Sequence, residues 1–222
     1  MAQRACVELA YFGELSHSQI GWRLFPCPHL LHVRVYRGRR CESILSFDPA
    51  QRSGKADPMM RLALADLWSM HPRLRGHPTD YARFGALALQ RAGHDSPVRA
   101  GVRHGDKENT ADLEWHSQDP TLLQVLDGNR ITEDGAEAVA LAYASSSAGW
   151  VMKRRLQRSE SADWLLHNEE RWLALEVSGV ATGDPWARLE DKKRQVARCS
   201  LAAERLAVVI AFDRPNILAD SP

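Results

Sequence analysis

Over residues 131–213 the spacing of apolar positions switches between the helical and the strand period. Thr132–Ala144 carries the helical pattern, with Thr132 as its cap, and Trp150–Leu156 predicts a strand. Ser161–Leu166 and Arg171–Ser178 are two apolar runs joined by a short polar turn, which predicts an antiparallel pair. Gly179–Gly183 reads as a loop. Asp184-Pro185 then marks a helix start, with Asp at the N-cap and Pro at the first helical position. That helix runs through Trp186–Cys199, with Leu189, Val196 and Cys199 as its apolar stripe. Leu206–Phe212 is an unbroken apolar run, as expected of a strand buried on both faces. The predicted order is helix, strand, strand, strand, helix, strand.

Two acids interrupt this pattern. Asp163 and Glu176 each sit where an ordinary core strand carries no charge. A turn centred between Glu169 and Glu170 sets Asn168 opposite Arg171 and Asp163 opposite Glu176. Directly opposed residues share a face, with Cβ atoms about 5 Å apart. Carboxylates at that spacing repel, and burial raises at least one pKa unless a cation lies between them. A divalent metal with oxygen ligands is the natural cation. The competing reading is a pair of solvated or salt-bridged acids, with Lys153, Arg155 and Arg158 as partners. The setting of Glu176 inside Leu-Ala-Leu-Glu-Val favours a compensated site, because an uncompensated charge there is costly.

Other polar residues border the pair. Arg188, Lys192 and Gln195 follow i, i+4, i+7 spacing along the edge of the second helix's stripe. They form either a row aimed at the sheet edge or the wet flank of an amphipathic helix with buried stems. Glu137 is either a further ligand or an acid serving the helix dipole, and Glu133 is the alternative acid. The run Lys153-Arg154-Arg155-Leu-Gln-Arg158 suits phosphate contact, and equally suits a charged exposed strand. Gln157 falls beside Asp163 in this arrangement.

Upstream, Leu31–Tyr36 and Cys41–Phe47 predict a hairpin about the basic turn Arg37-Gly-Arg-Arg40, and Pro49–Pro58 reads as a loop. Asp57-Pro58 repeats the helix start and predicts a helix over Met59–His71, broken by Pro72–Pro78. A second helix covers Thr79–Ala92 and ends at Gly93. Ser96–Val102 and Ala111–His116 predict a hairpin with a long charged loop, Arg103–Thr110. Asp119-Pro120 opens a short helix through Leu126. A soft boundary near residue 128 separates an α+β N-terminal region, 1–128, from a core at 129–222, unless the upstream elements are built onto that core. Cys27, His29, His32 and Cys41 have zinc-like composition, but their spacing matches no standard structural zinc site and reads as ordinary packing.

Composition narrows the options. The 222 residues are 44% hydrophobic and 26% charged with net charge +1, ordinary for a globular chain and without a global basic field. Nucleic-acid binding would therefore use a local patch. No apolar run approaches the ~20 residues that span a membrane, so no membrane partner is expected. No signal-peptide pattern opens the chain, and four cysteines without C-x-x-C fit a reducing compartment, which predicts a cytoplasmic setting. Glycine patterns of a P-loop, a dinucleotide fold or a nucleophile elbow are missing.

Asp163, the Glu176-Val177-Ser178 triplet and Glu137 on the preceding helix resemble the core of the PD-(D/E)XK nuclease superfamily, over residues 131–213. The resemblance implies an α/β fold with a restriction-endonuclease-like α-β-β-β-α-β core. It also implies a Mg²⁺- or Mn²⁺-dependent hydrolase of phosphodiester bonds, with DNA ahead of RNA as substrate. Asp163, Glu176 and the Val177 carbonyl would hold the metal, and Glu137 would complete the acidic set. Ser178 stands where the family carries its lysine. Some members supply that lysine from the following helix, which points to Lys192 first and Lys193 second. Lys192 would orient the attacking water or neutralise developing charge, and Gln195 and Arg188 would meet phosphate. Lys193, Arg155 and Arg158 would add nucleic-acid contacts. Ser178 and the near-neutral charge leave an alternative: a nuclease-like fold kept as a catalytically inactive binding or assembly module. Members often act as dimers, so a homodimer or larger complex is compatible. Restriction, repair, phage defence and mobile-element maintenance would each suit the core.

Overall fold

In the computed structural model the described residues are 5–11, 21–26, 31–37, 40–47, 59–169 and 171–222. The chain divides into two compact units, Met1–Pro58 and Met59–Pro222. The first contains strands β1 (Ala5–Tyr11), β2 (Gly21–Pro26), β3 (Leu31–Arg37) and β4 (Arg40–Phe47), in spatial order β2-β1-β3-β4. β3 and β4 form an antiparallel pair at the predicted hairpin, with Arg37 opposite Arg40. The predicted loop at 49–58 lies outside the described residues.

The second unit is an α/β fold on one eight-stranded mixed sheet, ordered β5-β7-β6-β12-β11-β10-β9-β8. The strands are β5 (Met60–Ala63), β6 (Val98–His104), β7 (Lys107–Glu114), β8 (Val151–Arg155), β9 (Trp164–Asn168), β10 (Arg171–Val180), β11 (Glu204–Ala211) and β12 (Asn216–Asp220). Helices α1 (Leu67–Met70), α2 (Tyr81–Arg91), α3 (Leu122–Val125), α4 (Gly128–Ala148) and α5 (Pro185–Val196) complete it. None of the helices is long and apolar enough to cross a membrane among the described residues.

Two apolar layers flank the sheet. On one face α4 lies between the sheet and α2, with Leu173, Leu175 and Val177 of β10 in its cluster. Seven successive residues of α4, Ala138–Ala144, are buried, as expected of a helix enclosed on several sides. On the other face Leu189 and Val196 of α5 pack with Ala174, Ala207 and Val209. β10 and β11 run parallel, so a crossover must join them, and α5 is that crossover. β9 and β10 form an antiparallel hairpin with Asn168 opposite Arg171 and Leu165 opposite Ala174.

Several elements differ from expectation. Residues 60–63 form β5, an edge strand parallel to β7, and not the start of a helix. Leu62 is fully buried in this pairing and Arg61 binds Glu114, so tertiary packing overrides helical propensity; only Leu67–Met70 is α-helical. The charged stretch 103–110 is mostly strand. His104 pairs with Lys107 about a two-residue turn, for which Gly105 supplies a positive φ of 57°. Its charges sit on the strand faces, where Arg103 meets Glu108 at 3.2 Å. α4 starts four residues earlier than predicted, because Asp127 caps it by accepting from the Arg130 N–H at 2.9 Å. β12 was not anticipated. It pairs antiparallel with β11 and parallel with β6, tying the upstream strands into the core sheet. The expected boundary near residue 128 therefore falls inside the second unit, at the start of α4.

Candidate functional site

Asp163 stands immediately before β9, where its backbone is fixed on both sides. Its N–H donates to the Leu175 carbonyl at 3.0 Å and its carbonyl accepts from the Leu156 N–H at 2.7 Å. The preceding 3₁₀ turn, Arg158–Glu160, is held by a capping box between Gln157 and Glu160 and by paired Arg154–Glu160 bonds at 2.7 and 2.9 Å. Oδ2 of Asp163 accepts from the Val177 N–H at 2.8 Å, so the carboxylate lies against the residue after Glu176.

Glu176 alternates with Ala174 towards α5 and is 0% exposed. Its Oε1 accepts from Lys192 Nζ, whereas its Oε2 is buried with no hydrogen-bond partner among the described residues. Burial, and then the charge of Asp163, push the Glu176 carboxyl above its ordinary range; Lys192 pulls it back. Lys192 lies between Leu189 and Val196 on α5, so its stem follows the apolar stripe while its ammonium reaches the acid. Its side chain is 19% exposed, and Nζ also reaches Gln195 Oε1 at 3.4 Å. Asp163, Glu176, Val177, Lys192 and Gln195 are thus brought together.

The remaining candidates are placed elsewhere. Lys193 donates to Asp220 at 2.6 Å and to Glu190 at 3.3 Å, which anchors α5 to β12. Arg188 is exposed one turn before Lys192, and Arg158 is exposed on the 3₁₀ turn. Gln157 serves as the cap of that turn. Glu133 is exposed on α4.

Glu137 is buried in the middle of α4, away from the helix dipole's positive end. Oε1 accepts from Arg155 Nη2 at 2.7 Å and Oε2 from Trp164 Nε1 at 3.1 Å. Both Glu137 oxygens are taken by Arg155 and Trp164, so Glu137 does not complete the Asp163–Glu176 set as expected, although the charge of Asp163 reaches it. Burial pushes its carboxyl up to about 8, against the pull of Arg155, with Asp163 and Asp134 adding to the rise. Asp134 is also buried and pairs with Arg130 at 3.0 Å. Tyr81 of α2 receives a hydrogen bond from Arg155 Nη1. Sequence reasoning missed Tyr81, which carries only the pattern of a core aromatic.

Among the described residues no group of three or more His, Cys, Asp or Glu side chains is gathered to hold a metal ion. The acidic site is therefore a pair, with backbone oxygen as any further protein ligand. His32 and Cys41 lie on β3 and β4, and Cys27 and His29 lie outside the described residues. No protein-family model, no curated protein and no solved structure matches the chain.

Proposed function

We propose that the protein is a Mg²⁺- or Mn²⁺-dependent nuclease of the PD-(D/E)XK type, hydrolysing phosphodiester bonds in DNA ahead of RNA. The observation that carries this reading is the meeting of Asp163, just before β9, and Glu176 of β10 with Lys192 from the next helix. The order α4-β8-β9-β10-α5-β11, with β10 and β11 parallel, supports a restriction-endonuclease-like form of the α/β fold. Lys192 takes the place that Ser178 leaves without a cation.

The residues fit a hard divalent cation. Glu176 Oε2 is a buried oxygen without a partner among the described residues, and its carboxyl is destabilised as an anion by burial and by Asp163. Asp163, Glu176 and the Val177 carbonyl would hold the ion, an oxygen set suited to Mg²⁺ or Mn²⁺. When bound, the ion supplies Lewis acidity towards the phosphate and towards a water. The Val177 N–H orients Asp163. Lys192 places positive charge where charge develops on the phosphate, with Gln195 steadying its ammonium. Arg188, exposed on the flank of α5, contacts the phosphate backbone.

Cleavage of linear, supercoiled and single-stranded DNA and of RNA, with Mn²⁺ or Mg²⁺, tests this. Wild type is expected to cut, and Glu176→Ala and Lys192→Ala are each expected to lose about a hundredfold or more. Full cleavage by an Asp163→Ala, Glu176→Ala double variant would sink the proposal. The Lys192–Glu176 ion pair favours one other reading, in which lysine replaces the metal and the fold serves as an inactive binding or assembly module. That reading gains if wild type cuts nothing and shows no heat on Mn²⁺ titration.

A further inference from the structure

Arg155 ends β8 directly opposite Trp164, one residue before the Leu156 N–H that binds the Asp163 carbonyl. Three contacts immobilise its guanidinium. Nη1 donates to the Tyr81 hydroxyl, Nη2 donates to Glu137 at 2.7 Å, and the Trp164 ring lies beneath it, 5.3 Å to the centroid. Tyr81 is itself wedged edge-on against Trp164, ring centroids 5.5 Å apart. Even so the Arg155 side chain keeps 40% of its surface exposed.

A guanidinium has five N–H donors. Two are used here, and no other acceptor among the described residues takes the rest. A purely structural arginine would be expected to bury its fork and saturate it. This one is gripped on its inner edge and open on its outer edge, within reach of the charge of Asp163. The loss of side-chain freedom that anion binding normally requires has already been met by folding. Glu137 and Tyr81, which hold no place in the acidic pair, both serve this one guanidinium.

We propose that Arg155 is a preorganised phosphate clamp that seats the reacting phosphate against Asp163, with Tyr81 and Glu137 as its positioning residues. The proposal rests on the nuclease reading and deepens it. It makes α2, upstream of the α-β-β-β-α-β elements, a contributor to the site. Lys192 approaches the acids from α5 and Arg155 from β8, so an anionic phosphate is met by cations from two elements.

The test uses the full chain with a fluorescently labelled DNA duplex. Equilibrium binding is measured across a salt series, and Mn²⁺-dependent cleavage gives kcat and KM. Arg155→Ala, Arg155→Lys and Tyr81→Phe are compared with wild type, with thermal unfolding as the control for folding. Arg155→Lys is expected to lower kcat/KM by about a hundredfold, because lysine keeps the charge but not the fork. Arg155→Ala should reduce the slope of log K against log salt by about one. Tyr81→Phe keeps the ring packing and should lose a smaller factor, about three- to tenfold, mainly in kcat. Wild-type kcat/KM and salt slope in a folded Arg155→Lys variant would overturn the clamp and leave the nuclease reading standing. Should Arg155→Ala fail to fold, the lysine and phenylalanine variants decide. Absence of both binding and cleavage in wild type, on DNA and RNA alike, would overturn both.

Discussion

At Glu176, stability and the proposed metal chemistry pull in opposite directions. Its carboxylate is fully buried, one oxygen has no partner among the described residues, and Asp163 lies beside it. Lys192 offsets only part of this cost. Removing the charge while keeping the shape should therefore relieve the fold: Glu176→Gln is expected to unfold at the same temperature as wild type or higher in metal-free buffer. The same variant should lose Mn²⁺ binding by calorimetry. A clear drop in melting temperature would mean that leaving Lys192 without its anion costs more than the burial of Glu176, as when one partner of a buried pair is removed. The register that brings Asp163 near Glu176 was legible in the sequence as far as Trp164 opposite Leu175, because strand pairing has a strict period of two; at Asp163 the pairing ends and its carboxylate turns to the Val177 N–H. The partners of Glu137 were not legible. Which neighbours a mid-helix residue meets depends on the helix origin, and Asp127, not Thr132, caps α4. The row Arg188, Lys192, Gln195 was readable from helix spacing, but the choice of Lys192 before Lys193 came from the family resemblance, and the capture of Lys193 by Asp220 required β12, an element no pattern announced.

At the scale of elements, two features outside the site set the geometry beneath it. α2 and α4 cross closely at Gly135, where an added Cβ would lie 2.8 Å from Ala88 Cβ and 2.9 Å from the Phe84 carbonyl oxygen. Alanine gains up to about 1 kcal/mol of helix propensity at such a position. The obstructing backbone cannot move without parting the helices, and overpacking costs about 1–3 kcal/mol. Gly135→Ala is thus expected to be net destabilising, read as a lower urea midpoint with an unchanged m-value. The second feature is His71, fully buried between α1 and the segment 72–76. Its Nδ1 accepts from the Met152 N–H at 3.0 Å, so the neutral ring must carry its proton on Nε2 and donate to the Leu141 carbonyl, also at 3.0 Å. Burial lowers its pKa below the ordinary 6.5. The unfolded chain therefore takes up the proton first, and the stability from this residue is present above pH 6.5 and lost as pH falls below it. Between pH 7.5 and 5 the raised carboxyls of Glu137 and Glu176 act in the opposite direction, so the difference between proteins is what reads His71: on acidification the melting temperature of wild type should drop relative to that of His71→Asn. Parallel pH profiles in the two proteins would remove His71 as a contributor. The sequence pattern could not have shown β5, because Met59–His71 satisfies a helical period as well as a short buried strand, and only pairing with β7 decides between them.

For the whole molecule, the decisive fact is that strands from both sides of residue 128 share one sheet. β6 hydrogen-bonds to β12, and β7 and β5 extend the sheet beyond it. Sequence patterns are local, whereas this pairing joins residues 101–104 to 216–219 across more than a hundred positions. The soft boundary near 128, set without a linker to mark it, therefore falls inside the second unit, and the alternative, upstream elements built onto the core, matches the shared sheet. The unit Met59–Pro222 holds the full sheet, both apolar clusters, the acidic pair and the Arg155 cluster. It has what an independent domain requires, a core of its own and functional side chains supplied from within. The fragment 59–222 is expected to fold cooperatively and to keep the metal-dependent cleavage proposed for the chain. Charge is divided unevenly: of the chain's 29 Lys and Arg, 8 fall in residues 1–58, against 5 of its 28 Asp and Glu. The fragment thus loses the chain's basic excess, which is the part of a nucleic-acid interaction that salt weakens. Its DNA affinity should be lower than that of the full chain at low salt and converge with it as salt rises, while kcat on saturating substrate stays the same. An unchanged salt slope on truncation would place the phosphate contacts entirely within 59–222. A loss of kcat would instead make the first unit part of the site.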